Sequence, residues 1–158
     1  MMELNERLVN KLIELNYKIT FAESCTGGLV ASKIVEVSNA SKVFDQSFVT
    51  YSNESKVNLL GVNEETINKY GVVSENVAVE MAKGCALKAH ANIGVGISGI
   101  AGPTGDTPTK PIGMVCFGFY INGEVSFKTM YFGNVGRNVV RNHATKFVLE
   151  YLLHRLGE

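Results

Sequence analysis

Ser24, Cys25 and Thr26 place two hydroxyls and a thiol in succession, and Gly27 and Gly28 then remove the side chains that would hold a ligand away from the backbone amides. The preceding Thr20-Phe21-Ala22 is β-branched and aromatic, and apolar periodicity resumes after the glycines, so the stretch reads as strand, tight turn and helix start. A helix start offers unpaired N–H groups and the positive end of the dipole, which suit an anion or a developing oxyanion. The same small residues also serve as ordinary cap and turn formers, so the chemistry must be argued from the rest of the chain.

Nucleophilic catalysis needs a nucleophile, a group to take its proton, and donors where negative charge develops. Ser24 is the nucleophile candidate. Cys25 is its rival, but no histidine lies near enough to form a thiolate pair: His90 ends a helix, and His143 and His154 sit on the last one. A lysine can replace histidine as base when burial destabilises its ammonium form. Lys56 is that candidate, with Tyr51 to relay or orient the proton; the ordinary alternatives are a solvated helix lysine and a core tyrosine. Arg137 and Arg141, four apart at the start of the last helix, face the same way and could grip a phosphate or carboxylate, or form a solvated face.

Two nucleotide-binding motifs fail on context. Gly94-Val95-Gly96-Ile97-Ser98-Gly99 matches G-x-G-x-x-G, but it lies inside an expected strand and runs into a Pro-rich loop, where the dinucleotide fingerprint would open a helix. Gly99 to Gly105 lacks the Gly-Lys-Ser/Thr ending of a P-loop.

Leu4, Leu8, Leu12 and Leu15 recur at helical spacing, predicting an amphipathic helix over about 3–16. A strand over 17–22 precedes the Ser24 turn, and a helix over 28–37 follows it, closed by Ser38-Asn39-Ala40-Ser41. A second strand covers about 46–51. Ser52 then caps a helix to Leu60, closed by Gly61, so Tyr51 ends a strand while Lys56 rides on the helix after it. Helices follow over 64–70, closed by Gly71, and over 75–90, capped by Ser74 and burying Val77, Met81 and Cys85. A third strand covers 92–98. The loop from Ser98 to Pro111 holds all three prolines and includes Lys110. Strands over 112–121 and 124–132 are joined by Asn122-Gly123, a strong hairpin signal, and the C-terminal helix covers 137–156. The expected fold is a single-domain three-layer α/β/α sandwich whose mixed sheet has about five strands, mostly parallel plus a C-terminal hairpin. Ligands gather at the carboxyl ends of parallel strands in such sheets, which puts the Ser24 turn, Tyr51 to Lys56 and the Ser98 loop along one rim.

The 158 residues, 46% hydrophobic, are enough for one sizeable core. Lys plus Arg equals Asp plus Glu at 15 each, so no overall field attracts nucleic acid or an anionic membrane, and an anionic partner must be small and locally bound. No apolar run reaches membrane-span length, and the polar, acidic N-terminus is unlike a signal peptide; a cytoplasmic protein is expected. Cys25, Cys85 and Cys116 lie outside any C-x-x-C pattern, which fits free thiols, two of them in the core. The three histidines lack ligand spacing, so neither a metal site nor a cofactor is expected.

Four ordered motifs resemble the CinA C-terminal domain family: Ala22-Glu23-Ser24-Cys25-Thr26-Gly27-Gly28, Tyr51-Ser52-Asn53-Glu54-Ser55-Lys56, Gly71-Val72-Val73-Ser74-Glu75 and Ser98-Gly99-Ile100-Ala101-Gly102-Pro103. The resemblance implies a three-layer sandwich with a mixed sheet and a nicotinamide-nucleotide amidase, which hydrolyses nicotinamide mononucleotide to nicotinate mononucleotide and ammonia without a metal. It implies Ser24, Lys56 and Tyr51 as catalytic residues. Cys25, Thr26, Gly27, Gly28, Ser98, Gly99, Gly102, Arg137 and Arg141 are then expected around the substrate, the amides of Thr26 and Gly27 facing the oxyanion. A homo-oligomer is a further implication. Two departures stand out: Ser98 takes a place where many members have threonine, and Gly133-Asn134-Val135-Gly136-Arg137 lacks the aspartate of the usual Gly-Asp-Arg. Other readings of the same residues are a mononucleotide- or partner-binding module without activity, and an amidase for another small carboxamide.

Overall fold

The computed structural model describes residues 1–158. Its elements run α1 (Leu4–Leu15), β1 (Ile19–Glu23), α2 (Leu29–Val35), β2 (Phe48–Val49), α3 (Asn53–Leu60), α4 (Glu64–Tyr70), α5 (Glu75–Ala89), β3 (Ile93–Gly99), β4 (Met114–Ile121), β5 (Glu124–Tyr131) and α6 (Arg137–Arg155). The sheet order is β2-β1-β3-β4-β5. β1 is parallel to β2 and β3, while β4 is antiparallel to both β3 and β5. All strands but β4 therefore point the same way, as the expected mixed sheet with its hairpin requires.

The period of two along each strand separates the two faces. Ile19 and Phe21 of β1, Ile93, Val95 and Ile97 of β3, and Val115, Phe117 and Phe119 of β4 pack in one cluster with Leu8 and Leu12 of α1, Val30 and Ile34 of α2, and Val148 and Leu152 of α6. On the opposite face α5 lies across β3, β4 and β1, with α3 and α4 packed against it, and Val77, Met81 and Cys85 are fully buried. This helix sits close because Gly94, Gly96 and Gly118 face it: a Cβ on any of them would run into the backbone of Ala82 or Ala78. The glycines that imitate a dinucleotide motif thus serve helix–sheet packing.

Sequence signals set most element ends. Ser52 Oγ accepts from the Ser55 amide and Gly61 closes α3 in the left-handed region; Ser74 caps α5 through the Val77 amide. Asn122 (φ 48°) and Gly123 (φ 92°) are both left-handed, as a type I′ hairpin turn needs. Apart from shifts of a residue or two at element ends, two segments differ from expectation. β2 shrinks to Phe48–Val49, because the Ser47 hydroxyl enters the ladder: it accepts from the Phe21 amide at 3.2 Å and donates to the Phe21 carbonyl at 2.8 Å. In the segment expected only to close α2, a 3₁₀ turn forms at Ala40–Lys42 and buries Ala40. All three cysteines are buried and free. No helix is long and apolar enough to cross a membrane.

Candidate active site

The parallel pairing of β1 with β3 brings the carboxyl ends of the two strands side by side: the Ser24 amide donates to the Ile97 carbonyl at 3.1 Å. The Thr50 amide donates to the Glu23 carbonyl at 2.9 Å, which fixes the start of the α3 segment on the other side of β1. Lys56, one turn into α3, then points back toward the strand ends. It is 1% exposed. Its Nζ lies 3.0 Å from Ser24 Oγ, 2.7 Å from the Thr50 carbonyl and 3.3 Å from the Tyr51 carbonyl.

That set of neighbours decides what the amine can do. Two are carbonyl oxygens, which only accept. In the neutral state Nζ has two N–H bonds and one lone pair; if the two N–H groups serve the carbonyls, the lone pair faces Ser24 Oγ–H. No carboxylate pairs with Lys56 in the chain's ion pairs. Desolvation lowers its pKa from 10.5 to about 8, opposed only by the Cys25 sulfur. Burial, reinforced by the Glu23 charge but countered by the Cys25 backbone, Arg141 and Lys56, pushes the Cys25 thiol up to about 11. Near neutral pH, Cys25 is therefore a protonated thiol and does not offset the desolvation of Lys56.

The Ser24 turn is braced from two sides. Glu23, fully buried, accepts from the amides of Gly28, Val30 and Ala31. The helix N-terminus expected to hold an anion is thus occupied by the chain's own carboxylate, and α2 begins one residue later than expected, at Leu29. Arg141 donates to the Cys25 carbonyl (2.9 Å) and the Thr26 carbonyl (3.1 Å). Gly27 has φ +57°, and a Cβ there would stand 3.3 Å from the Arg141 guanidinium, so the turn admits a glycine most easily. The Gly27 amide donates to the Ser24 carbonyl. The amides of Cys25 and Thr26 have no protein acceptor.

A cavity of about 360 Å³ opens from this turn, lined by Ser24, Cys25, Lys56, Ser98–Ala101 and Thr104–Gly105 of the long loop, Val72–Val73, Asn53, Tyr51 and Arg137. No acidic side chain lines it. The two arginines separate: Arg137 faces the cavity, donating to the Gly102 carbonyl (2.8 Å) and the Tyr51 hydroxyl (2.9 Å), whereas Arg141 lies behind the turn. Tyr51 is 63% exposed; its carbonyl meets Lys56 and its hydroxyl meets Arg137. The Ser98 hydroxyl donates to the Val72 carbonyl at 2.8 Å. Thr26, Gly27, Gly28 and Gly102 form the supporting backbone rather than the wall. Lys110 donates to the Tyr70 and Val73 carbonyls, tying the long loop to the end of α4. Sequence reasoning missed the bracing by Glu23 and the wall formed by Val72–Val73; the first could have been sought in an acidic residue lying next to a helix start.

The family model for the CinA C-terminal domain matches residues 1–156. The chain belongs to this family. It is 51% identical over 153 residues to a CinA-like protein of Kosmotoga olearia, covering 97% of this chain and 37% of that protein, so it spans little over a third of the length of the curated relatives it matches. The solved structure of a competence or damage-inducible protein from Enterobacter asburiae superposes with a TM-score of 0.95 at 37% identity, covering 98% of this chain and 97% of that one. The competence/damage inducible protein CihA of Agrobacterium tumefaciens gives 0.93 at 38% identity, covering 98% and 94%. The five-stranded mixed sheet with helices on both faces is the fold shared with these CinA superfamily proteins.

Proposed function

We propose that the chain is an amidohydrolase that converts nicotinamide mononucleotide to nicotinate mononucleotide and ammonia, with Ser24 as nucleophile and Lys56 as base. The observation that carries this reading is the buried Lys56 amine, 3.0 Å from Ser24 Oγ with its remaining partners both carbonyls. Family membership supports a CinA-type domain; the reaction and the substrate are our reading of the site.

Lys56 takes the Ser24 proton as Oγ attacks the carboxamide carbon. The resulting oxyanion is met by the Cys25 amide at the cavity wall, whose peptide unit the Gly27 amide holds through the Ser24 carbonyl while Arg141 braces the next two carbonyls of the turn. Lys56, now an ammonium, gives its proton to the departing nitrogen, the C–N bond breaks and ammonia leaves. Water, deprotonated by the same amine, then hydrolyses the Ser24 ester to the carboxylate, which restores the site. The proton moves directly between Lys56 and Ser24, because Nζ and Oγ are already within hydrogen-bond distance at 3.0 Å; Tyr51 helps through its carbonyl and by accepting from Arg137 at the cavity wall. Arg137 has guanidinium N–H groups beyond the two it uses, and a wall with this cation and no carboxylate favours a phosphate-bearing substrate.

Ammonia release from nicotinamide mononucleotide by the wild type and by Ser24→Ala tests the proposal. Turnover by the wild type and its loss in Ser24→Ala are expected. Full activity in Ser24→Ala removes the nucleophile, and tight binding without turnover in the wild type makes the chain a mononucleotide-binding module. Turnover of carboxamides lacking the 5′-phosphate at equal efficiency would move the substrate class.

A further inference from the structure

The loop between β3 and β4 supplies part of the cavity wall, and two cations hold it in place. Backbone bonds close its neck: the Ile100 amide donates to the Met114 carbonyl at 2.9 Å and the Gly113 amide to the Ile100 carbonyl at 2.7 Å. Beyond the neck, Arg137 ties the Gly102 carbonyl to α6. Lys110 makes the second tie. Its backbone exchanges hydrogen bonds with Thr107 in a tight turn. Its side chain crosses to the α4–α5 link, where Nζ donates to the Tyr70 carbonyl at 2.5 Å and the Val73 carbonyl at 2.6 Å.

That link depends on few bonds. The amides of Val72 and Val73 have no protein acceptor, and the Gly71 carbonyl is taken by the Ser74 hydroxyl within the link. The other three carbonyls are held from across the rim, that of Val72 by Ser98 and those of Tyr70 and Val73 by Lys110. Gly71 makes room for the ammonium: it is left-handed at φ +84°, and a Cβ there would stand 2.7 Å from Nζ. No carboxylate pairs with Lys110, so its charge is directed at the two carbonyl dipoles and both bonds are charge-assisted.

We propose that Lys110 is a positioning residue for the reaction at Ser24, an inference that rests on the amidase reading above. Val72 and Val73 give the cavity apolar surface next to Ser98, and the pairing of β3 with β1 sets Ser98 alongside the Ser24 turn. A flat pyridine ring rests against that surface while its carboxamide reaches Ser24. Attack requires the acyl carbon within about 3–3.5 Å of Oγ, and a misplacement of about 1 Å costs about 10²-fold in rate. By holding the Val73 carbonyl, Lys110 fixes how far the wall stands from the nucleophile. It works through the wall alone, since it does not itself line the cavity. The two ties of the loop therefore serve different parts of the substrate, Lys110 the ring and Arg137 the phosphate.

Ammonia release by Lys110→Met and Lys110→Arg tests the assignment, with nicotinamide mononucleotide and with nicotinamide riboside, which lacks the phosphate, as substrates. Methionine keeps the reach of the side chain and removes its donors, so Lys110→Met should lower kcat/KM by about 10- to 100-fold, and by the same factor on both substrates. Arginine still has donors for both carbonyls, and Lys110→Arg should stay within about threefold of wild type. Both variants should keep the wild-type circular dichroism and the fall in activity below about pH 8 that Lys56 sets, because Lys56 is held by α3 and the end of β1. A wild type that turns over while Lys110→Met matches it overturns the proposal and leaves the amidase reading standing. A loss confined to the phosphorylated substrate, one that Lys110→Arg shares in full, or one that tracks lost ellipticity overturns it in the same way. A wild type without turnover removes the amidase reading, and this proposal with it.

Discussion

Two serines stand at the carboxyl ends of neighbouring parallel strands, Ser24 just after β1 and Ser98 near the end of β3, and the fold gives them opposite chemistry. Both are buried, at 9% and 2% exposure. Each meets a third element that crosses the rim. For Ser24 it is α3, which delivers an amine able to take a proton; for Ser98 it is the α4–α5 link, which delivers the Val72 carbonyl, an acceptor of hydrogen bonds with no useful basicity. The Ser98 hydroxyl is thereby committed to holding Val72–Val73 as part of the cavity wall. A serine in a strand-end loop becomes a nucleophile candidate through what faces it, and its own place in the sheet does not distinguish the two.

The sharpest way to break this contrast is to remove each hydroxyl. Ser24→Ala should lower kcat for ammonia release by about 10⁴-fold or more with the fold intact by circular dichroism, and comparable activity in Ser24→Ala and Ser98→Ala would erase the distinction. Replacing the amine by a group of similar length, Lys56→Met, should cost about 10³-fold in kcat, within the range for loss of a general base. Arg137→Ala should lower kcat/KM for the phosphorylated substrate by about 10- to 100-fold, the worth of a charge-assisted bond, while a substrate lacking the phosphate should lose much less.

The pH dependence sharpens the role of the amine. Lys56 must be neutral to accept the proton, and burial sets its pKa at about 8. The wild-type kcat/KM should fall about tenfold per pH unit below that point and level off above it. Stability has the same sign in a different window. The unfolded chain, with the lysine at 10.5, holds more protons than the native one between about 8 and 10.5, so this group makes stability rise with pH across that interval and contributes no pH slope below it. A fall in activity below pH 8 with an unchanged thermal midpoint attributable to this group is the expected pattern. The smallest effect belongs to Ser98→Ala, which should lower stability by about 1 kcal/mol, a shift of about 2–4 °C in Tm, and leave kcat within about tenfold of wild type.

The periodicity of apolar residues, the Ser52 and Ser74 caps, Gly61 and the Asn122-Gly123 turn placed the helices and the hairpin within a residue or two, because local steric and hydrogen-bonding preferences act over a few residues and are written in those residues. β2 was less legible: its length depends on a serine side chain entering the ladder of a strand more than twenty positions away. The site was legible as a set of residue types. Ser24 and Lys56 follow from the need for a nucleophile and a non-histidine base, and the four motifs pointed to the family. The division of labour around them was hidden. That Glu23 fills the helix start, that Arg141 braces the turn while its neighbour Arg137 faces the cavity, and that Tyr51 offers its carbonyl to the lysine all depend on backbone paths meeting across the rim.

By itself the sequence determined which elements form, which faces they bury and which residue types are available for acyl transfer, since each of these is a sum of local preferences and hydrophobic patterning. Tertiary structure alone decided that Lys56 loses its water and its counter-ions at the place where Ser24 arrives. Desolvation is a property of surroundings assembled from β1, the Thr50–Tyr51 segment and α3 together, and no single stretch of the chain contains it.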